Sequence, residues 1–215
     1  MPTAATQPPT TASDDPAVAR ILRQAREHFF AHGYCACTMD DLAAELGMSK
    51  KTLYVHFRSK EEIMRAVIAQ LGREVRADAE ALLANRRLGF SEKLRGFAEG
   101  MVQRLALLNP RTLRDLQRFA PELHELTVEM RQKNIPYIFG RFIEEGKING
   151  KVRDDVDGAF AVEFFLQAMQ GLIQPATLDR LGFAPRDVLP RAIDLFFGGL
   201  LTPAGRKEHE KLFPR

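Results

Sequence analysis

Three helix starts crowd into the stretch from Thr38 to Glu62. Thr38 stands three residues before Asp41, the spacing of a capping box, in which side-chain oxygens take up orphaned backbone N–H groups of the first turn. Ser49 follows Gly47 with one residue between, and Ser59 precedes Lys60-Glu61-Glu62, a further cap signal. A chain so punctuated cannot run one long helix here. It makes a short helix, a tight glycine turn, a second short helix and then a new start: the helix-turn-helix pattern. Leu42, Leu46, Met48, Leu53 and Phe57 supply the shared apolar core, with Leu53 and Phe57 one turn apart. With these turned inward, Lys50, Lys51, Thr52, Tyr54 and His56 are left on the outer faces of the second short helix.

The rest of the chain also has helical spacing, with no strict apolar alternation, so the fold class is all-α. Asp15-Pro16 pairs an N-cap with proline at the first helical position, the stripe Val18, Ile21, Leu22, Ala25, Phe29 follows, and Gly33 stops it. From Lys60 a long helix runs to about residue 83 through Ile63, Val67, Leu71, Val75 and Leu82. Residues 85–89 read as a connector. Helices are expected over 91–108, 110–119 and 121–145, the last stopped by Gly146 and kinked at Pro136. The two final helices, 156–174 and 187–201, are apolar nearly all round and need cover on every side. A deep core of the chain itself or a second copy could supply it. Taking the second copy, Phe160, Phe164, Ile193, Phe196, Phe197 and Leu200 are the expected homodimer interface.

Composition narrows the function. No apolar run approaches the roughly 18 residues of a membrane span, so no membrane role is expected. Residues 1–14, rich in Thr, Pro and Ala, lack the basic start and apolar stretch of a signal peptide and read as a disordered tail. Two cysteines make no disulfide framework, which suits a reducing, cytoplasmic setting. A net charge of +3 is too weak to argue for nucleic acid alone. Yet Lys50, Lys51, Arg58 and Lys60 fall between Glu45 and Glu61 with no acid among them, a local patch of the kind that steers a phosphate backbone. G-x-S-x-G, P-loop and H-E-x-x-H motifs are absent, and no histidine pairs with a candidate nucleophile, so the chain is not expected to be an enzyme or to carry a cofactor.

The segment AREHFFAHGYCACTMDDLAAELGMSKKTLYVHFRSKEEI, residues 25–63, resembles the tetracycline-repressor (TetR) family of transcriptional regulators. The resemblance rests on Gly33-Tyr34, Thr38, Ala43, Gly47, Ser49, Leu53-Tyr54, His56-Phe57 and Lys60. It implies an N-terminal three-helix DNA-binding domain over 15–60 and a ligand-binding and dimerisation domain over 61–203, about nine helices in all, then a C-terminal tail over 204–215. It further implies a homodimer on a near-palindromic double-stranded DNA operator, usually as a repressor, released when a small molecule enters the larger domain.

Carried onto this chain, Thr38 and Ser49 sit at helix N-termini and would bind phosphate, as would Tyr54, His56 and Lys60. Lys50, Lys51 and Thr52 head the recognition helix and would reach base edges, with Val55 against a thymine methyl. On the helices that surround the family's pocket lie Phe97, Met101, Leu105, Phe119, Leu123, Met130, Tyr137, Phe165 and Met169, aromatic or soft, so the effector is expected to be small and hydrophobic or aromatic. Tyr137, Gln167 and Gln170 are the expected polar handles. Two alternatives stand beside this reading: a DNA-binding regulator without ligand control, and a metal- or thiol-responsive one acting through His28, His32, Cys35 and Cys37.

Overall fold

The computed structural model describes residues 15–212, and among them it is built from helices with no strand. The local caps act where the sequence places them. Asp15 accepts from the Ala17 N–H to open α1 (Pro16–His32). The Thr38 and Asp41 capping box opens α2 (Met39–Glu45), Ser49 accepts from the Thr52 N–H to open α3 (Lys50–His56), and Ser59 does the same with Glu62 for α4 (Lys60–Ala84). Gly47, at φ +61, makes the left-handed turn between α2 and α3 that a side chain would strain.

Seven more helices complete the described chain: α5 (Phe90–Arg104), α6 (Pro110–Phe119), α7 (Pro121–Ile148), α8 (Gly158–Leu172), α9 (Pro175–Leu181), α10 (Pro185–Leu200) and α11 (Pro203–Leu212). Eleven helices exceed the expected nine or so because of α9 and α11. The expected C-terminal tail is thus a docked helix as far as Leu212, and residues 213–215, like the N-terminal tail of 1–14, lie outside the described residues. Polar contacts hold α11 in place. Lys151 pairs with Glu208 at 2.6 Å, and Glu208 accepts from the Ser91 N–H at 3.3 Å. His209 is buried and meets Asp194 at 3.0 Å, while Gly205 lies so close to the Lys151 carbonyl that a Cβ would collide with it.

Two other boundaries move. The fifth helix ends at Arg104 rather than 108, because the Asn109 N–H is drawn 2.8 Å to the Phe30 carbonyl of α1 and the chain must turn to reach it. Gly146 lies inside α7, which continues helically through Pro136. A Cβ at Gly146 would run into Val152 and Phe90, so this glycine permits close packing, and the stop comes at Gly150 with φ +64.

The helices enclose two apolar cores. The smaller joins α1, α2, α3 and the first half of α4 through Ile21, Phe29, Leu42, Leu53, Ile63 and Val67, and takes in Leu116 of α6 and Leu123 of α7. The larger stacks Phe97, Phe139, Phe142, Phe165, Phe196 and Phe197, with the Phe139 and Phe165 ring centres 4.2 Å apart. This corrects the dimer assignment: Ile193, Phe196 and Phe197 are core residues, and Leu200 packs against that core. The outward apolar side chains of α8 and α10 are Phe160 (71% exposed), Phe164 (58%) and Leu195 (82%).

Candidate functional site

The head presents α3 on the outside of its own core. Leu53 is fully buried and Phe57 nearly so, which fixes the helix and leaves Ser49, Lys50, Lys51, Thr52, Tyr54 and Val55 exposed together. Most of these groups have local partners. The Thr38 hydroxyl and backbone N–H donate to Asp41 Oδ2 at 2.6 and 2.9 Å, which holds the Asp41 carboxyl below its ordinary range, and the hydroxyl accepts from the Asp41 N–H. The Ser49 and Thr52 hydroxyls share a 2.8 Å hydrogen bond. Lys50 Nζ pairs with Asp40 Oδ2 at 2.5 Å across the turn, and His56 Nδ1 comes within 3.7 Å of Asp15. Lys51, Tyr54 and Val55 stand clear at the centre of the face.

Lys60 has a further role that its type alone did not reveal. It is half-buried, its Nζ donates to the carbonyls of Tyr34 and Cys37 at 3.2 Å each, and it lies 4.5 Å over the Tyr34 ring. It therefore pins the α1–α2 connection to the start of α4, with one N–H left over. Tyr34 donates to Glu61 at 2.8 Å. Burial and that hydrogen bond push the Tyr34 phenol well up, while for Glu61 burial is outweighed by the bonds from Tyr34 and Ser59, and its carboxyl falls.

The four soft ligands do not converge. His28 bonds Glu45 at 2.6 Å, and His32 approaches the His28 carbonyl. Cys37 is buried, which pushes its thiol up to about 12, and the Cys35 thiol is raised by burial and by Asp115. Among the described residues no three His, Cys, Asp or Glu side chains are placed to hold a metal.

The second feature is a cavity of about 170 Å³ inside the body. Its walls are Met64, Val67, Ile68, Leu71 and Val75 of α4, Phe97 and Met101 of α5, Leu113 and Leu116 of α6, and Met130, Ile135, Ile138 and Phe139 of α7. Leu105 and Leu108 close it from the α5–α6 turn, Met169 and Ile173 from the end of α8, Leu189 from α10, and Phe30 from α1. Of the expected pocket residues, Phe97, Met101, Leu105, Met130 and Met169 line it. The others are elsewhere. Phe119 is 61% exposed, Leu123 sits in the head core, and Phe165 is in the aromatic stack behind Phe139. Tyr137 turns away to Glu80, Gln167 bonds Glu163 on the surface, and Gln170 is half-buried outside the cavity wall.

The polar wall groups are ones the sequence reading passed over: Thr112, Thr127, Arg131 and Asn134. For the three on α7 the signal was the spacing of Thr127, Arg131 and Asn134, which interrupts one apolar face at helical spacing. Gly72 lets α7 approach α4 here. A Cβ on it would lie 2.9 Å from Met130 Cγ, and its carbonyl accepts from Asn134 at 2.8 Å.

Cavity and head meet at α6. Thr112, buried in the wall, donates to the Phe29 carbonyl at 2.8 Å, and Asp115 accepts from the Cys35 N–H at 2.9 Å. The Asn109 bond to Phe30 lies one turn away. Phe30 and Met64 belong to the head core and to the cavity wall at once.

An all-helical chain with a helix-turn-helix head on a larger helical body has the architecture of helix-turn-helix transcriptional regulators. Residues 21–67 match the family described as bacterial regulatory proteins, tetR family. That match spans the helix-turn-helix head, from within α1 to within α4. It is 27% identical over 163 residues to the uncharacterized HTH-type transcriptional regulator YvaF of Bacillus subtilis, covering 76% of this chain and 85% of that one. To the HTH-type transcriptional regulator UidR of Escherichia coli it is 25% identical over 197 residues, 87% of this chain and 94% of the other. The crystal structure of the regulatory protein TetR from Rhodobacter sphaeroides shares the fold, with a TM-score of 0.64 at 18% identity over 87% of this chain and all of that one. These relatives are regulators and not enzymes, and among the described residues no helix is long and apolar enough to cross a membrane.

Proposed function

We propose that this chain is a repressor that binds a palindromic operator as a homodimer and is released by a small hydrophobic molecule held in the 170 Å³ cavity. The observation that carries this reading is the shared wall: Phe30 and Met64 face the cavity and also complete the core on which α3 sits. A ligand that rearranges α4 or α6 must then move the head. The ligand acts by population shift, favouring the arrangement in which two heads no longer match the half-site spacing.

On the DNA, Lys51, Thr52 and Val55 read base edges, and Lys50 does so after exchanging Asp40 for the duplex. Tyr54 and His56 contact phosphate, while Lys60 offers its remaining N–H and braces the turn. Thr38 and Ser49 act chiefly as caps beside the backbone. The dimer forms through Phe160, Phe164 and Leu195, and the protein works in the cytoplasm, where its operator is. The test is operator titration by fluorescence anisotropy with and without a panel of apolar compounds, alongside calorimetry. A compound that binds the cavity equally well with and without operator is not the inducer, because linkage is reciprocal. If no cavity ligand changes operator affinity, ligand control is wrong and DNA binding alone stands.

A further inference from the structure

We propose that the cavity is built for an amphiphilic carboxylate, its apolar body between Phe97, Met101 and Met169 and its carboxylate on Arg131. The inference rests on the effector reading above and names the chemistry of that effector. Arg131 projects from α7 into a wall that is otherwise almost wholly apolar. Its Nε is shut off from solvent and has no hydrogen-bond partner. Among the described residues no carboxylate lies within ion-pair reach of its guanidinium, although ion pairs are common elsewhere on the chain.

The other polar wall groups already have partners. Thr112 donates to Phe29, Thr127 donates to the His124 carbonyl at 2.7 Å, and Asn134 bonds both Gly72 and Arg76. The unmet donor on the wall is therefore cationic. Burial lowers Arg131 to about 10, which still leaves it protonated at neutral pH. Burial and then Arg131 hold down the pKa of nearby His124, so His124 does not add a second positive charge at neutral pH. A single planar guanidinium matches one singly charged planar carboxylate. Arg131 is half-buried, and a partly desolvated charge without a partner is costly; an anionic ligand lowers that cost on entry. A cavity of about 170 Å³ is close in size to one that takes a benzene ring, so the body is a ring or a short chain.

The experiment compares hexanoate and phenylacetate with the matching amides and alcohols, and with hexyl phosphate, by calorimetry on the full-length protein, followed by operator release. The wild type is expected to bind the carboxylates at least about tenfold more tightly than the neutral partners. Arg131→Met should abolish that preference while still binding the alcohols, which also reports that its cavity is folded; Arg131→Lys should keep part of it. The proposal is overturned if the alcohols bind as well as the acids, if Arg131→Met keeps the preference, if hexyl phosphate outcompetes hexanoate, or if no member of the series binds. Carboxylates that bind through Arg131 yet leave operator affinity unchanged sustain this site and refute effector control. Alcohols that release operator as well as the acids do the reverse.

Discussion

Replacing Thr112 by valine removes one hydroxyl and little else, since the two side chains are nearly the same shape. Thr112 is 1% exposed and donates to the Phe29 carbonyl at 2.8 Å. A carbonyl left bare in a core costs up to about 3 kcal/mol. Phe29 is not left bare, because its oxygen also accepts from the Gly33 N–H at 3.0 Å. The loss should therefore be near the low end, about 1 kcal/mol. For a chain of this size that lowers Tm by roughly 2–4 °C. The bond also joins the cavity wall to α1. If it forms only in the operator-binding arrangement, losing about 1 kcal/mol shifts the balance about fivefold toward release. The fall in operator affinity without effector and the rise in effector affinity without operator should multiply to about that factor, split according to how far the release arrangement is populated beforehand. Differential scanning calorimetry measures the first effect, anisotropy and calorimetric titrations the others. A lower Tm with both affinities unchanged would mean that α6 only holds the fold together and carries no signal. An unchanged Tm would mean that the bond contributes nothing.

Lys51→Ala, on an exposed side chain, should leave stability within about 0.5 kcal/mol while relaxing preference at one base position and making the salt slope shallower by about one. Lys60→Met should instead cost about 1–2 kcal/mol of stability as well as affinity, because two carbonyls lose their ammonium donor; a melt as high as wild type would contradict the bracing role. Phe164→Glu should leave the monomer folded, as the side chain is 58% exposed, but weaken the dimer by about 3 kcal/mol, a hundredfold or more in dissociation constant; analytical ultracentrifugation showing an intact dimer would mean that another face is used. Raised thiol pKa values leave less thiolate at any given pH, so at pH 8 iodoacetamide should miss buried Cys37 and label Cys35 more slowly than a free thiol, with the Cys35 rate still climbing well above pH 9; rapid labelling of Cys37 in the native protein would refute the burial argument.

The head was legible because its determinants are local. A cap such as Ser49 bonds the N–H of Thr52, three residues away, and Leu53 and Phe57 share a face by helical period alone. The body was less so, because its determinants are tertiary. On α8 the neighbours Phe164 and Phe165 point out and in respectively, and an all-round apolar helix gives no sign of which is which. Gly146 looks like a stop until Val152 and Phe90 are seen against it. Half of α11 is charged, and it lacks a long apolar stripe; Lys151, Ser91 and Asp194, distant along the chain, hold it in place. Arg131 was passed over because a lone arginine between apolar turns normally snorkels to solvent. Only the closed wall around its Nε sets it apart.

The way α10 and α11 close over α5 has a consequence for the order in which the protein matures as it is made. The core of the head draws on nothing beyond α7, its last members being Leu123, Leu126 and Met130. It can therefore be complete while the final third of the chain is still being synthesised. Phe90 and Leu94 of α5 share a core with Val188, Ile193, Phe197 and Leu201, some hundred residues later, so the body cannot close until Leu201 has been made. At roughly 5–20 residues per second the interval is several seconds. During it the newborn chain carries a finished helix-turn-helix head on an unfinished body, and α5 waits with its apolar face uncovered. Slow synthesis or loss of α10 and α11 therefore endangers the packing of the body first, and the head last.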